Sequence, residues 1–490
     1  MKVLLVYPAT PETFWSFKHV LRFVSKRAAF PPLGLLTVAA LLPADWDVKL
    51  VDLNVNRLTD ADLRWADYVM LSAMIVHKTS VSEIVSRCRR LGTPIIAGGP
   101  LFTTGHAAFP HIDHFVLGEA EELMPQVIED MRRGTLRRTY AASSRPDITR
   151  VPSPRWDLID FRSYVTMSVQ FSRGCPFDCE FCDIIVMNGR IPRNKAPSQL
   201  VAELEELRLR GWQGTVFVVD DNFIGNKRQA KAVLREIIQW RTQTGAKMGF
   251  LTEASANLAD DAELCDLMVC AGFKKVFIGF ETPSLESLQE CRKLQNCGRD
   301  LVETVKTLQR AGLEVMGGFI VGFDNDPTDI FQRQFDFIQR SGVVTAMVGL
   351  LTALPETRLY RRLIDEGRIE TETTGNNTEA ALNFRPRLGR EFLVNGYREL
   401  MKELYKPCNY YQRIRTFLEN HDPRGPRLPV ARSDIQAFLK SLWLLGVWHR
   451  GRLAYWRFCI ITLLRRPRLF HVAVELAIIG HHFRRVASLL

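Results

Sequence analysis

Cysteine is scarce in this chain, ten among 490 residues, and too scattered for a disulfide scaffold. Long apolar runs are missing as well. No stretch reaches the roughly 18–20 uninterrupted apolar residues of a membrane span, and the opening run from Met1 to Tyr7 is too short for a secretory signal and ends at Pro8. No repeat or low-complexity tract occurs, and no Gly-x-Gly-x-x-Gly fingerprint follows the first apolar run, which lowers the dinucleotide-binding option. These absences point to a folded protein of the reducing cytoplasm. The composition agrees: 46% hydrophobic and 24% charged residues is a globular balance, with length for roughly two to four domains. The net charge is +11, but residues 431–490 hold ten Arg or Lys against two acids, so eight of the eleven charges sit there. The remainder is close to neutral, which argues against a nucleic-acid partner.

Through residues 1–140, short β-branched runs alternate with helical segments, predicting strands over 3–7, 48–52, 68–72, 94–97 and 114–117 in a parallel sheet. Gly or Pro follows several of them, at Pro8, at Gly98-Gly99-Pro100 and at Gly118, and ligands of open α/β sheets bind at such strand ends. Residues 141–163, with Pro146, Pro152 and Pro154, read as a linker. The alternation resumes over 164–365, with strands expected at 167–171, 215–219, 249–253, 275–279, 314–321 and 344–351, and helices at 197–210, 227–242 and 300–311. Six such units make a partial (β/α)6 barrel. Residues 366–490 read as a helical, aromatic and basic region.

The strongest chemical signal follows the first barrel strand: Cys175-Pro-Phe-Asp-Cys179-Glu-Phe-Cys182, a Cys-x3-Cys-x2-Cys array. Three thiolates on one short loop suit a multinuclear iron–sulfur site and leave one iron open for a ligand from outside the protein. A structural zinc needs a fourth Cys or His, and none follows within ten residues. The remaining alternative is three ordinary or zinc-bound cysteines. The other cysteines from Cys265 onward are dispersed, and buried small apolar groups is their default reading.

The array, with Phe181 before its last cysteine, resembles the radical S-adenosylmethionine (SAM) superfamily. That resemblance implies a 4Fe-4S cluster on Cys175, Cys179 and Cys182, with SAM chelating the fourth iron and yielding a 5′-deoxyadenosyl radical on reductive cleavage by an external electron donor. It further assigns SAM contacts to Phe181, to Asp220, Asp221 and Asn222 after the second strand, to Ser255 and Asn257 after the third, to Glu281 after the fourth, and to the Gly318-x-Ile320-x-Gly322 strand. Strand-end Asp and Asn residues serve as loop caps about as often.

A Rossmann-like domain ahead of such a barrel, with Phe30-Pro-Pro-Leu-Gly34, Asp52-x-Asn54 and Gly118-Glu119-Ala-Glu121, resembles the cobalamin-binding subgroup. The resemblance implies corrin contacts at Asn54, Ser72, Gly98, Gly99, Pro100, Gly118 and Glu119. The Asp-x-His-x-x-Gly motif that supplies a lower axial histidine is absent. His77 and His106, on neighbouring loops, stand either towards the corrin or in solvent.

The tail carries Trp443, Trp448 and Trp456 among Leu, Ile and Arg, which suits either contact with an anionic membrane surface at the inner face or a helical cap on the barrel. Tyr405, Tyr410 and Tyr411 either line a cavity or pack a helix. Together with the opening 7–18 segment, the Ala28–Leu36 run and the closing Leu476-Ala-Ile-Ile-Gly-His-His-Phe483, the tail is similar to cobalamin-dependent radical SAM proteins that include the hopanoid C-2 methylases. The implied activity is methylation of an unactivated carbon, with a lipid such as a hopanoid as substrate. The alternative is cyclisation, oxidation or rearrangement with the same cofactors. A non-catalytic sensor and a tRNA methylthiotransferase rank lower.

Overall fold

The computed structural model describes the chain except for Ser143, Asn377 and residues 427–431, together with the side chains of Arg432 and Ser433. The first sheet grows from β1 (Lys2–Tyr7), in which Val3, Leu4, Leu5 and Val6 are all fully buried. An unbroken apolar run is what a strand covered on both faces requires. Parallel to it lie β2 (Asp47–Asp52), β3 (Tyr68–Ser72), β4 (Ile95–Gly98), β5 (His114–Leu117) and β6 (Thr139–Ala141), in the order β2-β1-β3-β4-β5-β6. The order reverses between β1 and β3, and a ligand crevice opens outside the carboxyl ends at such a switch point.

The second sheet follows chain order. After β7 (Met167–Val169) comes a short antiparallel pair, β8 (Ser172–Arg173) and β9 (Arg193–Asn194), and then β10 (Thr215–Val218), β11 (Gly249–Ala254), β12 (Phe273–Glu281), β13 (Glu314–Val321) and β14 (Ala346–Leu350). The six long-range strands run parallel in the order β7-β10-β11-β12-β13-β14, and among the described residues no pairing joins β14 back to β7. The result is the open partial barrel expected from the sequence. Its outer helices form for local reasons that one example shows. Leu301–Ala311 is capped by the Asp300 carboxylate on the Glu303 amide at 3.0 Å, buries Leu301, Thr304, Val305 and Leu308, and stops at Gly312 with φ +104°.

Several expectations change. The strand β6, whose Tyr140 alone is buried, was not legible in its three residues. The first barrel strand stops at Val169 instead of 171, because the chain turns there into β8. The Pro-rich segment read as a linker is a packed strap: Ile148, Val151, Trp156 and Tyr164 are buried, and the Tyr164 hydroxyl donates to Asp52 at 2.9 Å. Residues 366–389 are largely irregular, and the helices of the tail begin at Arg390–Leu404 and Pro407–Asn420.

Further helices, Arg432–Trp443, Arg452–Arg465 and Phe470–Ala487, complete the tail. Tyr405, Tyr410 and Tyr411 pack rather than line a cavity. They are buried, and the first two donate their hydroxyls to backbone carbonyls of Ala346 and Leu476, at 2.5 and 2.7 Å. The last helix seals the barrel near the start of its strands. Glu475 meets Lys275 at 2.6 Å, Phe483 stacks on Phe14 at 5.2 Å, and His482 bonds the Phe14 carbonyl.

Gly480 in this helix is a site where two effects oppose. Alanine gains about 1 kcal/mol of helix propensity over glycine, but its Cβ would lie 2.1 Å from the Tyr410 ring. Overpacking of that kind costs about 1–3 kcal/mol, so Gly480→Ala is expected to lower the urea midpoint of the protein; a higher midpoint would show that the ring has room to move.

Candidate active site

The cysteine loop starts where two consecutive aspartates at the end of β10 grip it. Asp220 accepts from the Phe171 amide and the Ser172 hydroxyl, each at 2.7 Å, and Asp221 accepts from the Gly174 amide at 2.7 Å and from Asn188 at 2.9 Å. Burial pushes the Asp220 carboxyl up to about 7 despite those bonds. Asp220 and Asp221, expected at the SAM site, therefore hold the loop itself. The far side is tied by the Glu180 amide on the Cys291 carbonyl at 2.9 Å and by Glu180 paired with Arg362 at 2.6 Å.

All three thiols are free, with Cys179 buried and Cys175 and Cys182 half-buried. Burial drives each of them above the ordinary thiol range, and the Lys293 ammonium works in the opposite sense on all three. Asn222 lies 3.8 Å from the Cys175 sulfur and Gln295 lies 3.7 Å from that of Cys179. Among the described residues, no three Cys, His, Asp or Glu side chains converge on one metal ion. A tetrahedral zinc needs sulfurs about 2.3 Å from a common centre. A cubane cluster instead takes each thiolate on a different iron, which suits three cysteines in one loop, and Lys293 supplies a cation beside the negative charge such ligation creates.

The polar set continues across the strand ends. Asn222 donates to Ser255 at 3.2 Å and Ser255 to Asn257 at 2.6 Å, linking the end of β10 to that of β11. Glu281 closes β12 and pairs with Lys293 at 2.6 Å. Its φ is +64°, a left-handed conformation costly for glutamate, of order 1–3 kcal/mol. A Cβ on Gly279 would stand 2.3 Å from a Glu281 oxygen and 2.9 Å from Lys293 Nζ, so a larger residue there would displace the tips of that ion pair. A Cβ on Gly318 would meet Phe277 at 2.9 Å; Ile320 is half-buried, and the Gly322 amide donates to Asp326 at 2.7 Å. Phe181 packs against Phe323 at 6.1 Å. Deeper in the barrel, Trp15 from the N-terminal segment stacks on Phe217 at 6.2 Å and leans on Phe277 at 5.1 Å.

Glu253 heads the 253–257 segment that fits the family after the third strand, although the SAM contacts there were assigned to Ser255 and Asn257. It stands at the end of β11, half-buried, with no hydrogen bond or ion pair to its carboxylate among the described residues. Burial first, then Asp221 and Asp220, push its carboxyl up to about 8. Lys293 escaped the sequence reading, because a lysine two residues after Cys291 fits no motif and looks like any solvated side chain.

The first sheet presents its carboxyl-end loops to this site. Asn54 accepts from the Thr10 amide at 2.8 Å and donates to the Pro8 carbonyl at 3.1 Å. Gly99 has φ +93°, and a Cβ there would lie 2.8 Å from Ser72 Oγ, so Gly98-Gly99 is a smooth, close-set edge with Pro100 opening the following helix. The Gly118 amide donates to Thr103 at 3.0 Å. Glu119 takes on a different task from the corrin contact expected of it. Its carboxylate binds Arg173 and Arg193, each at 2.6 Å, while Glu121 binds Arg173 at 2.7 Å. Burial would raise the Glu121 carboxyl, but Arg173 outweighs it and holds the group below its usual range. His77 is not a free axial ligand. It is fully buried, its Nδ1 accepts from the Met74 amide at 3.2 Å, its Nε2 meets the Thr10 hydroxyl at 3.1 Å, and burial pushes its pKa down to about 4. His106, half-buried, lies edge-on to Phe115 at 5.5 Å. A group with small-residue contacts on one face and no imidazole from His77 fits the edge.

Two outcomes follow from this geometry. Asp220 and Glu253 hold protons when folded at a pH where the unfolded chain, with carboxyls near 4, has released them. The folded state thus binds more protons, and stability falls as pH rises from about 4 to about 8, where both groups have ionised in the folded chain as well; thermal melts of Glu253→Gln should show a shallower fall than wild type. Arg173→Met strands the partly buried Glu121, and loss of one partner of such a pair costs about 3 kcal/mol. An unchanged melting midpoint for that variant would mean that the ion network does not join the two sheets.

Comparison with known proteins agrees with the two-sheet reading. The B12 binding domain family matches residues 24–128, the radical SAM superfamily residues 169–337, and a domain of unknown function residues 357–490. The chain is 41% identical to an uncharacterized methyltransferase of Synechocystis, over 99% of this chain and 91% of that one. It is 32% identical to the hopanoid C-2 methylase of Rhodopseudomonas palustris, over 95% and 90%. In fold it is similar to the cobalamin-dependent SAM radical enzyme OxsB, with TM-score 0.63, 15% identity and coverage of 99% and 79%. It is also similar to the radical SAM methyltransferase TsrM of Kitasatospora setae, with TM-score 0.60, 16% identity and coverage of 99% of both chains. A cobalamin-type sheet and a cysteine-bearing barrel facing each other across an arginine–glutamate network, with full-length relatives of the same build, make this chain a member of the cobalamin-dependent radical SAM methyltransferase family that includes the hopanoid C-2 methylase.

Proposed function

We propose that the protein methylates an unactivated carbon of a polycyclic lipid, a hopanoid at C-2 being the first candidate, in the reducing cytoplasm. The observation that carries this reading is the full-length likeness to the hopanoid C-2 methylase, and the aromatic interior formed by Trp15, Phe217 and Phe277 suits a ring system without charge. When bound, the cluster with SAM supplies a carbon-centred radical able to remove a hydrogen from such a position, and cobalamin supplies the methyl group.

The chain's own residues set the stage. Cys175, Cys179 and Cys182 are the cluster ligands in this reading, and the Asp220–Asp221 clamp fixes their loop. Asn222, Ser255, Asn257 and Glu281 offer polar groups at the strand ends for the amino acid and ribose parts of SAM, with Phe181, Gly318, Ile320 and Gly322 beside its adenine. Asn54, Ser72, Gly98, Gly99, Pro100 and Gly118 form the corrin edge, and Glu119 docks that edge over the barrel. Holding the two reactive centres on opposite sides of one water-poor space supplies proximity and protects a radical from quenching. An external donor supplies the electron.

Anaerobic reconstitution tests the reading directly. Wild type should bind about four iron atoms and one corrin per chain, and Cys179→Ala should lose the iron and the cleavage of SAM while keeping the corrin. Incubation with hopanoid-containing lipid should yield a product one methylene unit heavier. A product of unchanged skeleton mass or two hydrogens lighter would instead establish cyclisation, oxidation or rearrangement, and iron without corrin would remove methyl transfer by this route.

A further inference from the structure

The tail displays an unusual surface. Of its large apolar side chains, Trp448 is 78% exposed, Leu453 80% and Leu464 78%. Leu453 and Leu464 belong to one of two exposed stripes, and Trp448 lies in the segment that joins them. On the Arg432–Trp443 helix, Ile435, Leu439 and Trp443 recur every four residues and are all exposed; on Arg452–Arg465, Leu453, Trp456, Ile460 and Leu464 do the same at helical spacing. Each helix also buries an opposite apolar face, with Ala437 on the first and Tyr455, Phe458 and Cys459 on the second. An amphipathic helix needs one apolar face for its core, so the second stripe is surplus to folding.

The two helices meet at their junction. Ser441 bonds the Tyr455 hydroxyl at 2.9 Å, and Trp456 donates to the Gly446 carbonyl at 2.8 Å, which pins the two helices together through the Leu444–Trp448 turn. Around them stand Arg450, Arg452, Arg457, Arg465 and Arg468, exposed and without an ion pair among the described residues. At one end Trp448 also borders a cavity of about 280 Å³ lined by Arg22, Phe23, His449, His481 and Arg485. The His481 Nδ1 atom is buried there with no hydrogen-bond partner among the described residues, and Glu12 nearby is already paired with His19. No helix of the described residues is long and apolar enough to cross a membrane.

We propose that this two-helix face docks the protein on the surface of an anionic lipid bilayer, the tryptophan and leucine stripes entering the headgroup–acyl boundary and the basic cavity beside Trp448 receiving a lipid phosphate. Charge selects the occupant: a face rimmed by unpaired arginines and carrying few acids matches a negatively charged sheet of lipid, and exposed Trp and Leu suit its interfacial zone. A second copy of this chain would bring the same positive rim against itself. The inference rests on this surface and stands apart from the identity of the methylated substrate.

The test is co-sedimentation of the full chain, under anaerobic conditions, with vesicles of phosphatidylcholine alone or mixed with phosphatidylglycerol. Wild type should pellet with the anionic vesicles at low salt, stay in solution with phosphatidylcholine, and be released at high salt. Each positive charge near an anionic surface is worth about fivefold in partitioning, so the double variant Arg465→Glu/Arg468→Glu should bind at least tenfold more weakly. Trp448→Glu/Leu453→Glu should also lose binding, and both pairs, being exposed, should retain the wild-type melting midpoint and iron content. Failure of wild type to pellet with anionic vesicles, or pelleting of both folded variants as well as wild type, overturns the proposal. So does a dimer seen by light scattering that Trp448→Glu/Leu453→Glu dissolves, since the face would then be a contact between copies.

Discussion

Two arginines on a two-strand hairpin hold the chemistry of this protein in place. Arg173 and Arg193 lie on β8 and β9, which flank the cysteine loop, and both reach the Glu119 carboxylate at the edge of the first sheet, with Glu121 completing the network. The pairs are short and largely screened from water; Arg193 grips Glu119 with two nitrogens, while Arg173 divides its two between Glu119 and Glu121, and such guanidinium–carboxylate contacts combine energy with fixed geometry. A sheet that binds a corrin and a barrel that generates a radical are useful only if their carboxyl edges face each other at a set distance. Within this chain the same hairpin sets both that docking and the position of the sulfurs.

The barrel end tolerates features that a core alone would reject. Glu281 sits in a left-handed conformation, Asp220 and Glu253 are buried carboxyls that resist ionisation, and Lys293 is an ammonium held close to the cysteine loop. Each costs stability in isolation. They persist because the surrounding strands leave them no alternative: Gly279 makes the space for the Glu281–Lys293 pair, and Asp220 is bonded from two directions by the loop it holds. The strain and the shifted groups cluster where the strand ends meet the cysteine loop, and the outer helices, built from regular caps and apolar faces, supply the compensating burial.

The two chain ends matter to that interior. The N-terminal segment sends Trp15 against Phe217 and Phe277, and Phe14 meets Phe483 of the last helix, so residues nearly the whole chain apart share one apolar cluster. The tail is therefore part of the barrel's floor on its inner side, while its outer side is left with apolar stripes that have no use in folding.

The alternation of apolar runs, Gly and Pro punctuation and the Cys175–Cys182 spacing were enough to establish two parallel sheets, an open six-unit barrel and an iron–sulfur loop, because each of these is encoded within a few neighbouring residues. Short or bent pieces escaped: β6 has one buried side chain, and the 141–163 segment reads as a linker until Trp156 and Tyr164 find their pockets. The site itself was only half legible. Strand-end residues such as Asn222 and Glu281 could be located from their order along the chain, but Asp220 and Glu119 look the same in sequence whether they meet a ligand or a neighbouring arginine or amide. Their tasks, like the importance of Lys293, Glu253 and His77, depend on partners dozens of residues away or on burial. A linear pattern carries periodicity and local spacing; which charges are paired, desolvated or left alone is decided only when distant strands come together.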